Sequence, residues 1–127
     1  MKKDLKNILL LGGNGFIGKH LALKLLEKKT NLHIKILDRK RNNWRDIAKY
    51  KNIKFINSDV KNISKFNSVI KKSDVIIDCI GSTGHDFTTE NKIKKDLKSN
   101  FTDKIALLEE IKTIKKRLLY ISIGTLF

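Results

Sequence analysis

The sequence contains no run of about 18 apolar residues, so no membrane span is expected. Its opening, Met1-Lys2-Lys3-Asp4, lacks the apolar stretch and small-residue cleavage site of a secretory leader. Cys79 is the only cysteine, which excludes an internal disulfide and makes a reducing cytoplasm the expected location. The three histidines, His20, His33 and His85, lack metal-ligand spacing, so no metal site is expected. Proline is absent, and no repeat, linker or low-complexity tract divides the chain, so residues 1–127 read as one domain. With 40% apolar and 32% charged residues, that domain is able to bury a core and remain soluble.

Charge is present in excess, at +15. Such a balance invites a nucleic-acid reading, because cations that neutralise phosphates drive that binding. Here lysine supplies 24 of the 28 positive residues and is scattered along the whole chain, with no clustered stripe. Lys, Ile and Asn together fill 53 of 127 positions, a bias that A/T-rich codons explain more simply than a function does. No nucleic-acid partner is expected. The charge still favours the approach of anionic ligands.

Strand and helix patterns alternate from end to end. Asn7 to Leu11 is a nearly continuous apolar run, as in a parallel strand covered on both faces. Phe16, Ile17, Leu21, Leu25 and Leu26 recur at helical spacing up to about Lys29. His33 to Leu37 reads as a second strand ending at Asp38, and Asn42 to Tyr50 as a short helix carrying Trp44, Ile47 and Ala48. Ile53 to Ile56 reads as a third strand, and Ile63, Phe66, Val69 and Ile70 mark a further helix. Val75 to Ile80 makes a fourth strand, and Gly81 to Thr89 is a Gly/Ser/Thr-rich loop. A long helix from about Asn91 to Lys115 is expected to turn Leu97, Phe101, Ile105, Leu108 and Ile111 to the core, before a fifth strand from Leu118 to Ile123. This alternation implies an α/β, doubly wound parallel sheet of Rossmann type, strand order 3-2-1-4-5, with ligand at the switch point above strands 1 and 4.

The loop between the first strand and the first helix carries the chemistry. Gly13, Gly15 and Gly18 satisfy G-x-G-x-x-G, while Gly12, Gly15 and Gly18 satisfy G-x-x-G-x-x-G. Early glycines permit a tight turn, Gly15 lets a pyrophosphate approach the backbone, and Gly18 lets helix and strand pack closely. Amides at the start of the helix then bind phosphate, aided by the helix dipole. Asp38, 20 residues after Gly18, is placed to accept hydrogen bonds from ribose hydroxyls. The expected cofactor is therefore NAD, with NADP the alternative that Arg39 and Arg41 admit.

The segment Ile8-Leu9-Leu10-Leu11-Gly12-Gly13-Asn14-Gly15-Phe16-Ile17-Gly18 resembles the opening of the extended short-chain dehydrogenase/reductase family. Within it, the branch of NAD-dependent epimerases and dehydratases of nucleotide sugars is the one suggested. Ser58-Asp59-Val60 resembles the motif whose acid meets the adenine amino group, and Cys79-Ile80-Gly81 the segment that passes along the cofactor. Asn100, followed by Leu107-Leu108-Glu109-Glu110, resembles a helix whose Asn supports the strand-four backbone. Leu119 to Thr125 resembles the strand that ends at the catalytic Ser/Thr, which makes Thr125 the implied substrate-orienting hydroxyl. The resemblance implies cofactor-binding roles for Gly12, Gly15, Phe16, Ile17, Gly18, Asp38, Arg39, Asp59, Val60, Cys79, Ile80, Gly81 and Asn100.

One departure bears on function. The family's Tyr-x-x-x-Lys pair follows strand five, and this sequence reaches Phe127 before such a helix. Tyr50 to Lys54 matches that spacing but falls between strands two and three, and reads as coincidence. The expectation is a truncated cofactor-binding domain, inactive alone, with nucleotide-sugar binding requiring the missing C-terminal part. A non-catalytic dinucleotide-binding module is the alternative reading. Cys79 reads as a small buried residue, without a recognisable His or Asp partner for nucleophilic work, and His85 with Asp86 as a solvated loop pair. Self-association of the chain is expected from helix faces left uncovered.

Overall fold

The computed structural model describes residues 6–28, 31–39, 47, 49–81 and 88–121. Its five strands, β1 (Asn7–Leu11), β2 (His33–Asp38), β3 (Ile53–Asn57), β4 (Val75–Asp78) and β5 (Arg117–Tyr120), form one sheet in the order β3-β2-β1-β4-β5. Every pairing is parallel, and the register aligns Leu11 with both Leu37 and Asp78. The order reverses between β1 and β4, so the carboxyl ends of these two strands border a crevice.

Both faces of the sheet are covered, which explains the near-continuous apolar composition of β1. Ile8 and Leu10 point to one side, where Ala22 and Leu26 of helix α1 (Phe16–Lys28) join Ile34, Ile36 and Ile47. Leu9 and Leu11 point to the other, against Val60, Ile63, Ile70 and Leu107. Each such side chain stabilises the fold by about 1.5–3 kcal/mol relative to exposure. The helix expected around Ile63 to Ile70 is a 3-10 segment (Val60–Phe66) running into helix α2 (Asn67–Lys72). Asp59 caps that segment by accepting from the Lys61 amide.

The long helix expected from Asn91 to Lys115 is broken. Helix α3 (Glu90–Asn100), capped by Thr89, ends at Phe101; a 3-10 turn (Thr102–Lys104) follows, then helix α4 (Ile105–Ile114). Lys115 closes α4 in the left-handed region at φ 56°, its amide bonded to the Ile111 carbonyl. The break changes which side faces the sheet. Leu107 is buried and Ile111 and Ile114 are half-buried, whereas Leu97, Phe101, Ile105 and Leu108 are 50%, 65%, 53% and 53% exposed. The expected core stripe is thus largely an outward stripe on both sides of the break, and the core is reached instead by Leu107 with the half-buried Ala106, Ile111 and Ile114. Strand four ends at Asp78 rather than Ile80, and most of the expected helix over 42–50 lies outside the described residues.

Candidate functional site

The turn after β1 depends on two glycines, Gly12 and Gly18, whose places admit no side chain. Gly12 donates its amide to the Leu37 carbonyl at 2.8 Å and adopts φ 72°, a region that disfavours side chains. A Cβ there would also lie 3.0 Å from the Cys79 carbonyl carbon and the Ile80 nitrogen. At Gly18 a Cβ would come within 2.5 Å of the Gly12 carbonyl oxygen, so α1 rests on the turn only because this residue has no side chain. Gly15 is different: its Cβ would meet just the Gly12 oxygen, at 3.3 Å, and the residue is exposed. The Gly15 amide bonds to Gly12, and Lys19 closes the first helical turn on the Gly15 carbonyl. The amides of Phe16 and Ile17 therefore head the helix, where an anion would be held.

Asp38 stands at the end of β2 and accepts from the Asn14 amide at 2.9 Å. Turn and acid, 24 residues apart, are one structural unit. Beside them lies a shallow, open groove lined by Leu37, Asp38, Arg39, Ser58, Asp59, Val60, Ile80, Ser99 and Asp103. Arg39 reaches across to the Asp59 carboxylate at 3.8 Å. The residues fit a dinucleotide: an open glycine and helix amides for phosphate, a carboxylate for ribose hydroxyls, and a groove with apolar walls and an acidic rim for a base.

The floor of the crevice is the end of β4. Cys79 donates its amide to Leu11 at 2.9 Å, and the Ile80 amide donates to Asp78 Oδ1 at 2.9 Å. Lys104 enters from the 3-10 turn and donates to Asp78 Oδ2 at 2.8 Å and to the Ile80 carbonyl at 2.6 Å. Its ammonium also lies 4.8 Å from the centre of the Tyr120 ring. Burial pushes the Cys79 thiol up to about 11; the Asp78 charge adds to that, and Lys104 partly opposes it. At neutral pH this is an inert thiol.

The structure thus gathers Asp38, Arg39, Asp59, Val60 and Ile80 around one groove, with the turn that holds Gly12, Gly15, Phe16, Ile17 and Gly18 tied to Asp38 through Asn14. Cys79 and Gly81 flank Ile80, and the Asn100 Oδ1 lies 3.7 Å from where a Gly81 Cβ would stand. The Asn100 amide donates to Asp96. Thr125, Arg41, Trp44 and His85 lie outside the described residues. Tyr50 precedes β3, where Asn52 accepts from the Ile34 amide near the start of β2, so the Tyr50/Lys54 pair sits toward the amino-terminal ends of the strands, away from the crevice. Sequence reasoning missed Ser99, Asp103, Asp78 and Lys104. An acid within the apolar run Val75-Ile76-Ile77-Asp78 was a usable signal; Lys104 had none, being one lysine among 24.

A parallel 3-2-1-4-5 sheet with a glycine turn bonded to a β2-end acid defines a Rossmann-type domain. A model of the NAD dependent epimerase/dehydratase family matches residues 8–126, and the chain belongs to that family. It is 31% identical over 126 residues to the bifunctional polymyxin resistance protein ArnA of Wigglesworthia glossinidia brevipalpis, a match covering 98% of this chain and 19% of that protein. It is 32% identical over 131 residues to the dTDP-D-glucose 4,6-dehydratase of Dictyostelium discoideum, covering 95% of this chain and 30% of that protein. The chain therefore spans less than a third of these curated relatives. Among solved structures, UDP-glucuronic acid 4-epimerase from Bacillus cereus with UDP-glucuronic acid and NAD superposes with a TM-score of 0.80 at 23% identity, covering 93% of this chain and 40% of that one. The dTDP-glucose 4,6-dehydratase of Bacillus anthracis with NAD gives 0.75 at 24%, covering 92% and 37%. At these identities the superpositions speak for the fold alone.

Proposed function

We propose that residues 1–127 form the NAD-binding domain of a nucleotide-sugar epimerase, dehydratase or reductase. The observation that carries this is the bond from the Asn14 amide to Asp38, which joins the phosphate turn to the ribose-recognising acid. The helix-start amides of Phe16 and Ile17 hold the pyrophosphate, Asp38 the adenosine ribose, and the Asp59–Val60 groove the adenine. Cys79, Ile80 and Gly81 run alongside the cofactor, with Asn100 behind Gly81 and Thr125 assigned to the substrate hydroxyl. The dinucleotide supplies the hydride acceptor.

NAD is preferred over NADP on two grounds. A carboxylate at Asp38 repels a 2′-phosphate, and Arg39 is directed toward Asp59 rather than held ready for that phosphate. The family relatives solved with NAD support the same cofactor. On this reading residues 1–127 supply the cofactor site, and turnover of a sugar nucleotide needs groups beyond that site. The setting is cytoplasmic, and the exposed stripe on α3 and α4 gives the isolated chain a tendency to self-associate.

The test is Asp38→Ala. Losing the acid removes bonds to the ribose and the anchor of Asn14, each a charge-assisted contact worth about 1.5–3 kcal/mol, so NAD affinity falls at least about tenfold. Calorimetry on a variant shown by circular dichroism to be folded reads this directly. Unchanged affinity would remove Asp38 from the site and the reading with it.

A further inference from the structure

Asp78 and Lys104 form an ion pair whose side chains are 2% and 6% exposed. Removing two charges from water is costly, and well-packed apolar residues of equal volume often hold two elements together as well or better. What the charges supply beyond adhesion is direction. Two short bonds converge on Ile80, which donates its amide to Asp78 Oδ1 and accepts from Lys104 at its carbonyl, and a third, from Lys104 to Asp78 Oδ2, joins the two side chains that make them. Both backbone polar groups of Ile80 are thereby fixed by side chains.

Ile80 is also the residue against which the glycine turn is fitted. Its nitrogen would stand 3.0 Å from a Cβ at Gly12, and it lines the groove beside Asp38. Lys104 reaches it because the chain breaks helix at Phe101 and makes a 3-10 turn. Among residues 90–106 the lysine is the one buried side chain. The ammonium, rather than an apolar anchor, ties that stretch to β4.

We propose that Lys104, paired with Asp78, is a positioning residue for dinucleotide binding: it holds the Ile80 backbone in the conformation that closes the crevice against the glycine turn. This rests on the cofactor site described above. Lys104 does not touch the cofactor itself. It acts through Ile80 and, one residue on, Gly81.

The experiment uses the full chain and two variants. The double variant Lys104→Met/Asp78→Asn removes both charges, so no charge is left buried alone, keeps an oxygen for the Ile80 amide, and leaves the Ile80 carbonyl without its donor. Lys104→Arg, the conservative rescue, keeps the pair with Asp78 and a donor for that carbonyl. Amide hydrogen exchange by NMR and calorimetric titration with NAD are the readouts. In the double variant the Ile80 and Gly81 amides exchange about tenfold faster, the scale of one lost charge-assisted bond, while Leu9, Leu10 and Ile36 stay protected. NAD affinity falls by a similar factor. Lys104→Arg stays closer to wild type than the double variant in both readouts. A double variant with undisturbed core amides, wild-type exchange at Ile80 and wild-type affinity overturns the proposal. A loss as large in Lys104→Arg also overturns it, because the effect then belongs to packing around the lysine stem and not to the hold on Ile80. If the wild-type chain itself does not bind NAD, the cofactor reading fails, and the exchange data still decide whether Lys104 holds Ile80.

Discussion

Asp38 serves two ends at once, shaping the turn through the Asn14 amide and facing the groove where a ribose would lie. Its position at the end of an alternating strand, 20 residues beyond Gly18, made it legible from sequence because spacing along a βαβ unit fixes that point in space. Lys104 was not legible for the opposite reason: a buried lysine is distinguished by its partner, and the pairing with Asp78 spans a loop and a helix break. Cys79 lies between these groups and carries a pH prediction. Folding raises its thiol from 9.0 to about 11, so the folded chain holds the proton more tightly than the unfolded chain. That stabilisation is complete below pH 9.0 and is lost as pH rises toward about 11, where the unfolded chain has already ionised. Urea denaturation of wild type and Cys79→Ala across that interval should show wild type losing stability relative to the variant. A constant difference between the two would contradict the burial argument.

At the scale of elements, the glycine turn is the most constrained joint in the molecule. Gly18→Ala forces a methyl group to within 2.5 Å of the Gly12 carbonyl oxygen, a backbone atom that cannot swing aside. Overpacking of this kind costs about 1–3 kcal/mol, and urea denaturation should show a loss in that range together with weakened NAD binding. A fully stable variant would mean that α1 can shift away from β1. The strands and α1 followed directly from sequence because their apolar periodicity is satisfied within a few turns of chain. The α3–α4 break did not, since an unbroken spacing from Leu97 to Ile111 reads as one straight helix. The break is set by tertiary contacts: Lys104 and Leu107 turn inward, and Ile105 between them turns out.

Taken as a whole, the molecule has one well-covered half and one exposed half. β1 and β2 are covered on both faces, while β5 is an edge with Leu119 and Tyr120 about half exposed, and α3 and α4 carry an outward apolar stripe. An exposed apolar area of that kind favours association of the isolated chain. Light scattering after size-exclusion chromatography should find species larger than 14.6 kDa, and Phe101→Lys should shift them toward monomer. A wild-type chain that runs as monomer at all concentrations would contradict this. The net charge of +15 gave no such pointer, being spread evenly rather than gathered into a surface stripe.

The central claim is that this chain is a self-sufficient NAD-binding domain. Calorimetric titration of the folded wild-type chain with NAD and, separately, with NADP tests it most directly. The account predicts saturable 1:1 binding of NAD, with NADP weaker by at least about tenfold because the Asp38 carboxylate opposes a 2′-phosphate. A folded chain that binds neither dinucleotide, or binds NADP more tightly, would contradict it.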